Sequence, residues 1–352
     1  MRRLFSHVAI QSISSVLPKE VVSLAEFSAM YGEKTAEKIC KATGIQAVRC
    51  APADKTSADY CMEAARHIFA SGVISPKEID GLVFVSETPD YVIPHTSAAL
   101  QEKLGLPNQL IAYDINYGCA GYVYGLFQAS LLIETGYCRH VLLCVGDTET
   151  RFIHPRDKAL RMVIGDAGSA TLVSATDEER LPSGFSFHTD GSGADALMIP
   201  AGGCRTPRVA GVTDVCEEDG AGNARSQENL YMDGMRVMAY ILKGVRPTMR
   251  SVLQSLDLDE NKVDLYAVHQ ANAFIVKKIA KLLHVETQRV PFAAEHVGNT
   301  SCASIPVMLC NAYSGKHEIL RRVMVCGFGT GFSCAAGMVD LSCAEIFPLQ
   351  EM

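Results

Sequence analysis

The 352 residues predict an α/β protein built by duplication: two covered sheets with buried helices between them, an α-β-α-β-α five-layer sandwich. Three observations carry that expectation. The first is an internal repeat. Ser75–Val85 has a counterpart in Asp259–Val268, and matching Asp80 to Asp264 gives an offset of 184 residues. Gly136–Asp147 resembles Glu318–Gly329, and matching Cys144 to Cys326 gives an offset of 182. Two nearly equal offsets in the same order mark a duplication. The second is that the apolar segments lack clean period-two alternation, as strands do when both faces of their sheet are covered. The third is Ala120–Ile133, apolar nearly all round, which suits a helix inside a protein rather than on its surface.

Taken in order, the chain opens on a first strand. Two arginines precede it, but Ser6, His7 and Gln11 break the apolar run that a signal peptide needs, so a cytoplasmic protein is expected. Each half then reads helix, strand, loop, helix, strand, loop, helix, strand. Leu110–Ile115 is the strand that leads through Cys119 into the first buried helix. The second buried helix starts near Ser301–Ser304, with Pro306 tolerable in its first turns. The two halves are expected at 1–175 and 176–352. The long polar stretch Gly202–Gln227 is read as a surface loop of the second half, near the entrance to a cavity.

Composition narrows the function. Hydrophobic residues at 48% and charged residues at 20% exclude global disorder. No run approaches the roughly eighteen apolar residues of a membrane span. A net charge of −7 argues against nucleic acid or an anionic membrane as partner. The thirteen cysteines are odd in number and include no Cys-x-x-Cys, so neither a disulfide framework nor a zinc ribbon fits, and about nine in ten should be core residues. No metal site is expected.

Four segments could carry chemistry. Cys119, between Gly118 and Gly121, follows a strand and opens a helix, where dipole and free N–H groups favour a thiolate; a small core cysteine at a tight turn is the equal alternative. His269 ends the strand Leu265–Val268, and ligands of α/β sheets gather at such carboxyl ends; alone it would more often be a hydrogen-bonded structural residue, and the Cys119 at the matching layer of the other half reverses that preference. Asn299 precedes the second buried helix, in the slot that Cys119 fills in the first half, and its amide could hold an enolate or thioester oxygen; a helix cap is the other reading. The glycines around Thr330 offer backbone N–H groups for an oxyanion, or simply a tight turn.

Together, Gly-Cys119-Ala-Gly, His269-Gln-Ala-Asn272 and Gly-Asn299-Thr-Ser-Cys-Ala-Ser-Ile-Pro306 resemble the Cys-His-Asn triad of the β-ketoacyl-acyl-carrier-protein synthase III family. Ala42-Thr-Gly-Ile45 and Gly165-Asp-Ala-Gly-Ser-Ala170 match that family too, over about Val8–Val339. The resemblance implies the thiolase-like fold and usually a homodimer. It implies an acyltransferase without a permanently bound cofactor, whose substrates are coenzyme A or phosphopantetheine thioesters: an acyl-CoA or acyl-carrier protein condensing with malonyl-acyl-carrier protein. Cys119, His269 and Asn299 would be catalytic, with the Cys119 and Thr330 N–H groups as oxyanion hole.

Asn299 separates the chain from thiolases and elongating synthases, which resemble this fold but carry His there. HMG-CoA synthases use an additional Glu as general acid, for which Glu87 is the nearest candidate, in surroundings more like the synthase III type. The family's adenine-stacking Trp and nearby Arg are Lys38 and Ala42 here, and the chain has no Trp. Arg151 and Lys158 remain for a phosphate. The docking Arg is Phe274, followed by Lys277, Lys278 and Lys281, a stripe that suits an acidic carrier protein or a solvated face. Two alternatives stand beside condensation: acyl transfer to an alcohol, amine or carrier without decarboxylation, and a catalytically silent subunit paired with an active homologue.

Overall fold

A computed structural model describes residues 4–178, 180–316 and 318–352. Its first sheet runs β1-β5-β4-β2-β3, from Val8–Leu17 (β1), Gly81–Val85 (β2), Ile111–Ile115 (β3), His140–Asp147 (β4) and Ala167–Ala175 (β5). The second runs β6-β9-β8-β7, from Gly184–Thr189 (β6), Leu265–Val268 (β7), Val323–Gly329 (β8) and Ser333–Val339 (β9). In both, counting from β1 or β6, two antiparallel pairings precede a parallel one. The short segments Glu345–Ile346 and Gln350–Glu351 return to pair with β1.

The register repeats with the topology. Phe84 lies opposite Cys144, and Val268 opposite Cys326. Asp80 accepts hydrogen bonds from the N–H groups of Arg139 and His140, and Asp264 accepts them from Arg321 and Arg322. A carboxylate that closes a strand entry in this way satisfies two otherwise open donors, which accounts for its presence in both halves.

Side-chain alternation within each strand builds the layers. Val83 and Val85 of β2 and Leu143 and Val145 of β4 share one core with Leu265, Ala267, Val323 and Val325 of the second sheet. Between the sheets lie Gly121–Glu134 and Ser304–Tyr313, which contribute Leu126, Ala129, Ile305 and Leu309 to that core. The alternate residues Leu82, Phe84, Leu142 and Cys144 pack under the outer helix Ser57–Ala70. Tyr266, Val268, Met324 and Cys326 do the same under Gly234–Ser255 and Ala273–Leu283. Both faces of β2, β4, β7 and β8 are thus apolar. That is the five-layer sandwich.

Two expectations need correction. Offsets of 182 to 184 carry Cys119 to residues 301–303, which form the 3₁₀ turn Ser301–Ala303 ahead of the second buried helix. Asn299 stands before that turn, so it does not occupy the slot of Cys119. Cys204, Cys216 and Cys343 are exposed, so fewer cysteines are core residues than their apolar settings suggest.

Candidate active site

Cys119 lies two residues before its helix, in a turn closed by a 2.6 Å hydrogen bond from the Gly121 N–H to the Gly118 carbonyl. Two glycines of β8 leave room for it. A Cβ at Gly329 would fall 2.7 Å from Cys119 Cβ and 2.9 Å from Sγ, and one at Gly327 would fall 2.5 Å from the Cys119 carbonyl oxygen. Strand β8 of the second half therefore runs against the nucleophile turn of the first. No described residue accepts a hydrogen bond from the Cys119 or Thr330 N–H.

His269 is buried where β7 ends, with its N–H on the Cys326 carbonyl at 2.8 Å and Phe328 edge-on to its ring. Ser304 Oγ stands 2.6 Å from Nδ1 and also faces the Gln270 N–H at 3.5 Å. Burial lowers the imidazole pKa to about 3, so the ring is neutral. With Ser304 giving its proton to Nδ1, this network assigns the ring hydrogen to Nε2. The rest of the motif is structural. Gln270 bonds the Val268, Pro291 and Ala293 backbones, and Asn272 caps the following helix through the Ile275 N–H.

Asn299 is fixed by the first half, through its N–H on the Val163 carbonyl at 2.8 Å and its carbonyl under the Gly165 N–H at 2.9 Å. Oδ1 accepts the Ser301 N–H at 3.1 Å, which orients the amide and leaves Nδ2 to donate. Ser301 is the point where the three predicted residues meet. Its N–H holds Asn299, its backbone comes up to His269, and its hydroxyl, buried without a hydrogen-bond partner, comes up to the Cys119 thiol. It adopts φ 49°, a left-handed conformation uncommon for serine.

The electrostatics differ from the expected thiolate. Burial pushes the Cys119 thiol up, and Glu149, Glu87 and Asp147 push it further, against the helix end. Glu87 is itself raised to about 7 by burial and then by Asp147, although the Thr330 hydroxyl (2.7 Å) and the Gly118 N–H both donate to it. Burial also raises Asp147 and Glu149. The resting thiol is protonated. Since the thiolate is what reacts, iodoacetamide at pH 7.5 should alkylate Cys119 at least about tenfold more slowly than Cys204, Cys216 or Cys343, followed by peptide mass spectrometry. Faster labelling at Cys119 would refute the protonated thiol.

Glu87, Asn116, Glu149 and Thr330, with Phe152, Leu197, Met198 and Leu230, line a cavity of about 330 Å³ beside this turn. Glu149, Asp147, Ser301 and Ser304 were not singled out in the sequence. Gly146-Asp-Thr-Glu149 at the carboxyl end of β4 was the available signal for the first two. For the serines there was none. Lys277, Lys278 and Lys281 are exposed and lie away from the cavity lining, next to a half-exposed Phe274. Arg151 Nη2 donates to the Pro52 carbonyl at 2.9 Å, and Lys158 Nζ to the Ala221 carbonyl at 2.5 Å. Among the described residues there is no cluster able to hold a metal ion, and no helix long and apolar enough to cross a membrane.

A duplicated five-layer sandwich with a cysteine, a neutral histidine and an oriented carboxamide around one serine defines a thiolase-fold acyltransferase. Comparison with known proteins makes this specific. The family models "3-Oxoacyl-[acyl-carrier-protein (ACP)] synthase III" and its C-terminal counterpart match residues 113–191 and 253–341. A β-ketoacyl-[acyl-carrier-protein] synthase III of Rhodopirellula baltica is 30% identical, over 93% of this chain and 96% of its own. A crystal structure of a 3-oxoacyl-(acyl-carrier-protein) synthase III superposes with a TM-score of 0.90 at 37% identity, covering 95% of this chain and 99% of that one. A crystal structure of a 3-oxoacyl-(acyl-carrier protein) synthase from Burkholderia xenovorans gives 0.91 at 31% identity, covering 100% and 99%. The chain belongs to the β-ketoacyl-acyl-carrier-protein synthase III family, and it is an acyltransferase of that family.

Proposed function

We propose that Cys119, His269 and Asn299 carry a decarboxylative Claisen condensation of an acyl thioester with malonyl-acyl-carrier protein. Cys119 sulfur bonds the acyl carbon, the donor's C–S bond breaks, and the thiol proton leaves with the departing thiolate. The Cys119 and Thr330 N–H groups receive the tetrahedral oxyanion. Malonyl thioester then replaces the first product. His269 Nε2–H and Asn299 Nδ2–H donate to its thioester oxygen, CO₂ departs, and the enolate carbon attacks the acyl-Cys119 carbonyl. The bond to sulfur breaks, Cys119 leaves as a thiolate and regains a proton from solvent, and the 3-oxoacyl product leaves.

The observation that carries this reading is the orientation of two neutral donors, His269 through Ser304 and Asn299 through Ser301. Acyl transfer without decarboxylation needs no enolate stabiliser, and a silent subunit needs none of the three. Neither alternative accounts for the pair.

The same reading places the enzyme in the cytoplasm as a homodimer. Support for the dimer comes from Tyr91, Val92 and Ile93, exposed at 58%, 96% and 84%, and from edge strand β3, half-buried at every residue. The exposed Phe274 among Lys277, Lys278 and Lys281 suits docking of an acidic carrier protein.

Asn299→Asp tests the assignment. It should leave acylation of Cys119 intact and lower CO₂ release from ¹⁴C-labelled malonyl-carrier protein by at least about 10²–10³-fold, because a carboxylate repels the enolate that the amide would hold. Release at the parent rate would make simple acyl transfer the better account.

A further inference from the structure

The cavity beside the nucleophile turn has two unlike sides. One is apolar, made by Phe152, Leu197, Met198 and Leu230, where Leu197–Met198 pairs antiparallel with Tyr231–Met232. The other is polar, made by Glu87, Thr88, Asn116, Glu149 and Thr330. Contacts tie the polar side to Cys119. A Cβ at Gly118 would overlap the Glu87 carboxyl, and one at Gly329 would fall 2.9 Å from Cys119 Sγ. Glu87 thus lies against the residue before the nucleophile, and Thr330 follows the residue against its sulfur. The Thr330 hydroxyl donates to Glu87 at 2.7 Å and joins the two into one polar rim. An acyl group bonded to that sulfur starts at this rim. At about 330 Å³ the cavity is at the small end of the roughly 300–1,000 Å³ of ligand sites, room for a short chain.

The protein does not satisfy these polar groups by itself. No Lys or Arg among the described residues pairs with Glu87, Asp147 or Glu149. The Ser301 hydroxyl comes up to Glu149 as well as to the thiol, yet it is 1% exposed and has no hydrogen-bond partner. Asp147 Oδ1 accepts the Ser86 hydroxyl at 2.9 Å and the Glu87 N–H at 2.7 Å, while its buried Oδ2 has no partner. A ligand that answers such groups is favoured, and one that covers them unpaired is penalised. Burial and then Asp147 raise both glutamates, Glu87 to about 7, so below that pH they offer O–H donors and C=O acceptors rather than charge.

We propose, on the condensing-enzyme reading above, that the acyl group carried to Cys119 is short and hydroxylated. Glu149 and the polar rim take the hydroxyl, and the side of Phe152, Leu197 and Leu230 takes the carbon chain. The covalent step is that of any acylation here: the Cys119 S–C bond forms, the donor C–S bond breaks, and the thiol proton goes to the leaving thiolate. A hydroxyl is donor and acceptor at once, so it answers a protonated carboxyl in both directions. A hydrocarbon branch of the same size would cover Glu149 and Ser301 without pairing them. Sites built to hydrogen-bond a substrate hydroxyl reject the analogue lacking it by up to about 10⁴–10⁵-fold.

The test uses acyl groups of one shape: 3-hydroxybutyryl, 3-methylbutyryl and 3-aminobutyryl, which place OH, CH₃ and NH₃⁺ on the same carbon. Each is offered as its coenzyme A and its carrier-protein thioester, and Cys119 acylation is followed by rapid quench and intact-protein mass. We expect the better 3-hydroxybutyryl enantiomer to acylate at least about 100-fold faster than 3-methylbutyryl from the same donor, and faster than 3-aminobutyryl. Glu149→Leu should lower the hydroxy-to-methyl ratio at least about tenfold, whereas Glu149→Gln, which keeps a donor and an acceptor, should hold it within about threefold. Each ratio is taken within one protein, so a change in thiol reactivity falls equally on both substrates. If 3-methylbutyryl reacted as fast as the hydroxylated group, or Glu149→Leu left the ratio unmoved, the proposal would fall and the condensing reading would stand. A preference for 3-aminobutyryl, or a ratio lost in Glu149→Gln as well, would make this a cation site and overturn the hydroxyl assignment. No adduct from any donor would instead overturn the condensing reading itself, and this proposal with it.

Discussion

Cys119→Ala is expected to give no acyl-enzyme with any thioester donor and a loss of condensation of about 10⁶-fold, the scale seen when an enzyme loses its covalent nucleophile. The variant should fold, because the change removes one sulfur and leaves the Gly118–Gly121 turn intact. CO₂ release from malonyl-carrier protein should continue, since His269 and Asn299 are held by Ser304 and Ser301, not by the thiol. Intact mass after incubation with acyl donors, with ¹⁴CO₂ counted in parallel, separates the two half-reactions. A persistent adduct at another cysteine would reassign the nucleophile. Cys302, buried in the turn that duplication sets opposite Cys119, is the residue to check first; its thiol faces the Val85 carbonyl at 3.5 Å.

The layered fold was legible because its cause is local in sequence. Leu82, Val83, Phe84 and Val85 alternate between two cores, and two covered faces erase the hydropathic alternation that a one-sided sheet would show. The duplication was legible because Asp80 and Asp264 do the same work at the same strand entry. Cys119, His269 and Asn299 stood out as reactive or hydrogen-bonding side chains at strand ends and helix starts. What surrounds them did not. Ser304 acts on His269 across 35 residues, and the Thr330 hydroxyl reaches Glu87 across 243, so neither leaves a short-range pattern. The state of the thiol was misjudged for the same reason. The helix start is visible at Cys119 itself, whereas the burial that raises the thiol most, and the Glu149 and Glu87 carboxyls that add to it, exist only in the folded chain. The small hairpin that pairs Glu217–Glu218 with Ala224–Arg225 read only as a polar interruption, because its contacts to Arg156 and Lys158 exist only in the folded chain.

His269→Ala should lower condensation toward the upper part of the roughly 10²–10⁴-fold range that a positioned proton donor supplies, with acylation of Cys119 changed far less. The asymmetry follows from the neutral ring. An imidazole held near pKa 3 by burial does not form an ion pair with Cys119, but it can donate Nε2–H to a developing enolate. The same value removes histidine from the pH profile above about pH 4. Glu87 takes its place, with a pKa of about 7 set by burial and by Asp147. Below pH 7 it is neutral; as it ionises above, it puts a negative charge beside Cys119 and its oxyanion. The ratio of the parent acylation rate to that of Glu87→Gln should therefore fall as pH rises through 7, because the ionised Glu87 both opposes the oxyanion and holds the Cys119 thiol up. Linkage runs the same way. The folded carboxyl keeps its proton to about pH 7 against 4.5 for the free group, so the stability it contributes is fully present below pH 4.5 and lost as pH rises through 7. A ratio that stays flat from pH 6 to 8 would mean that Glu87 does not titrate beside the nucleophile. If His269→Ala slowed acylation as much as CO₂ release, the histidine would be serving the thiol rather than the enolate.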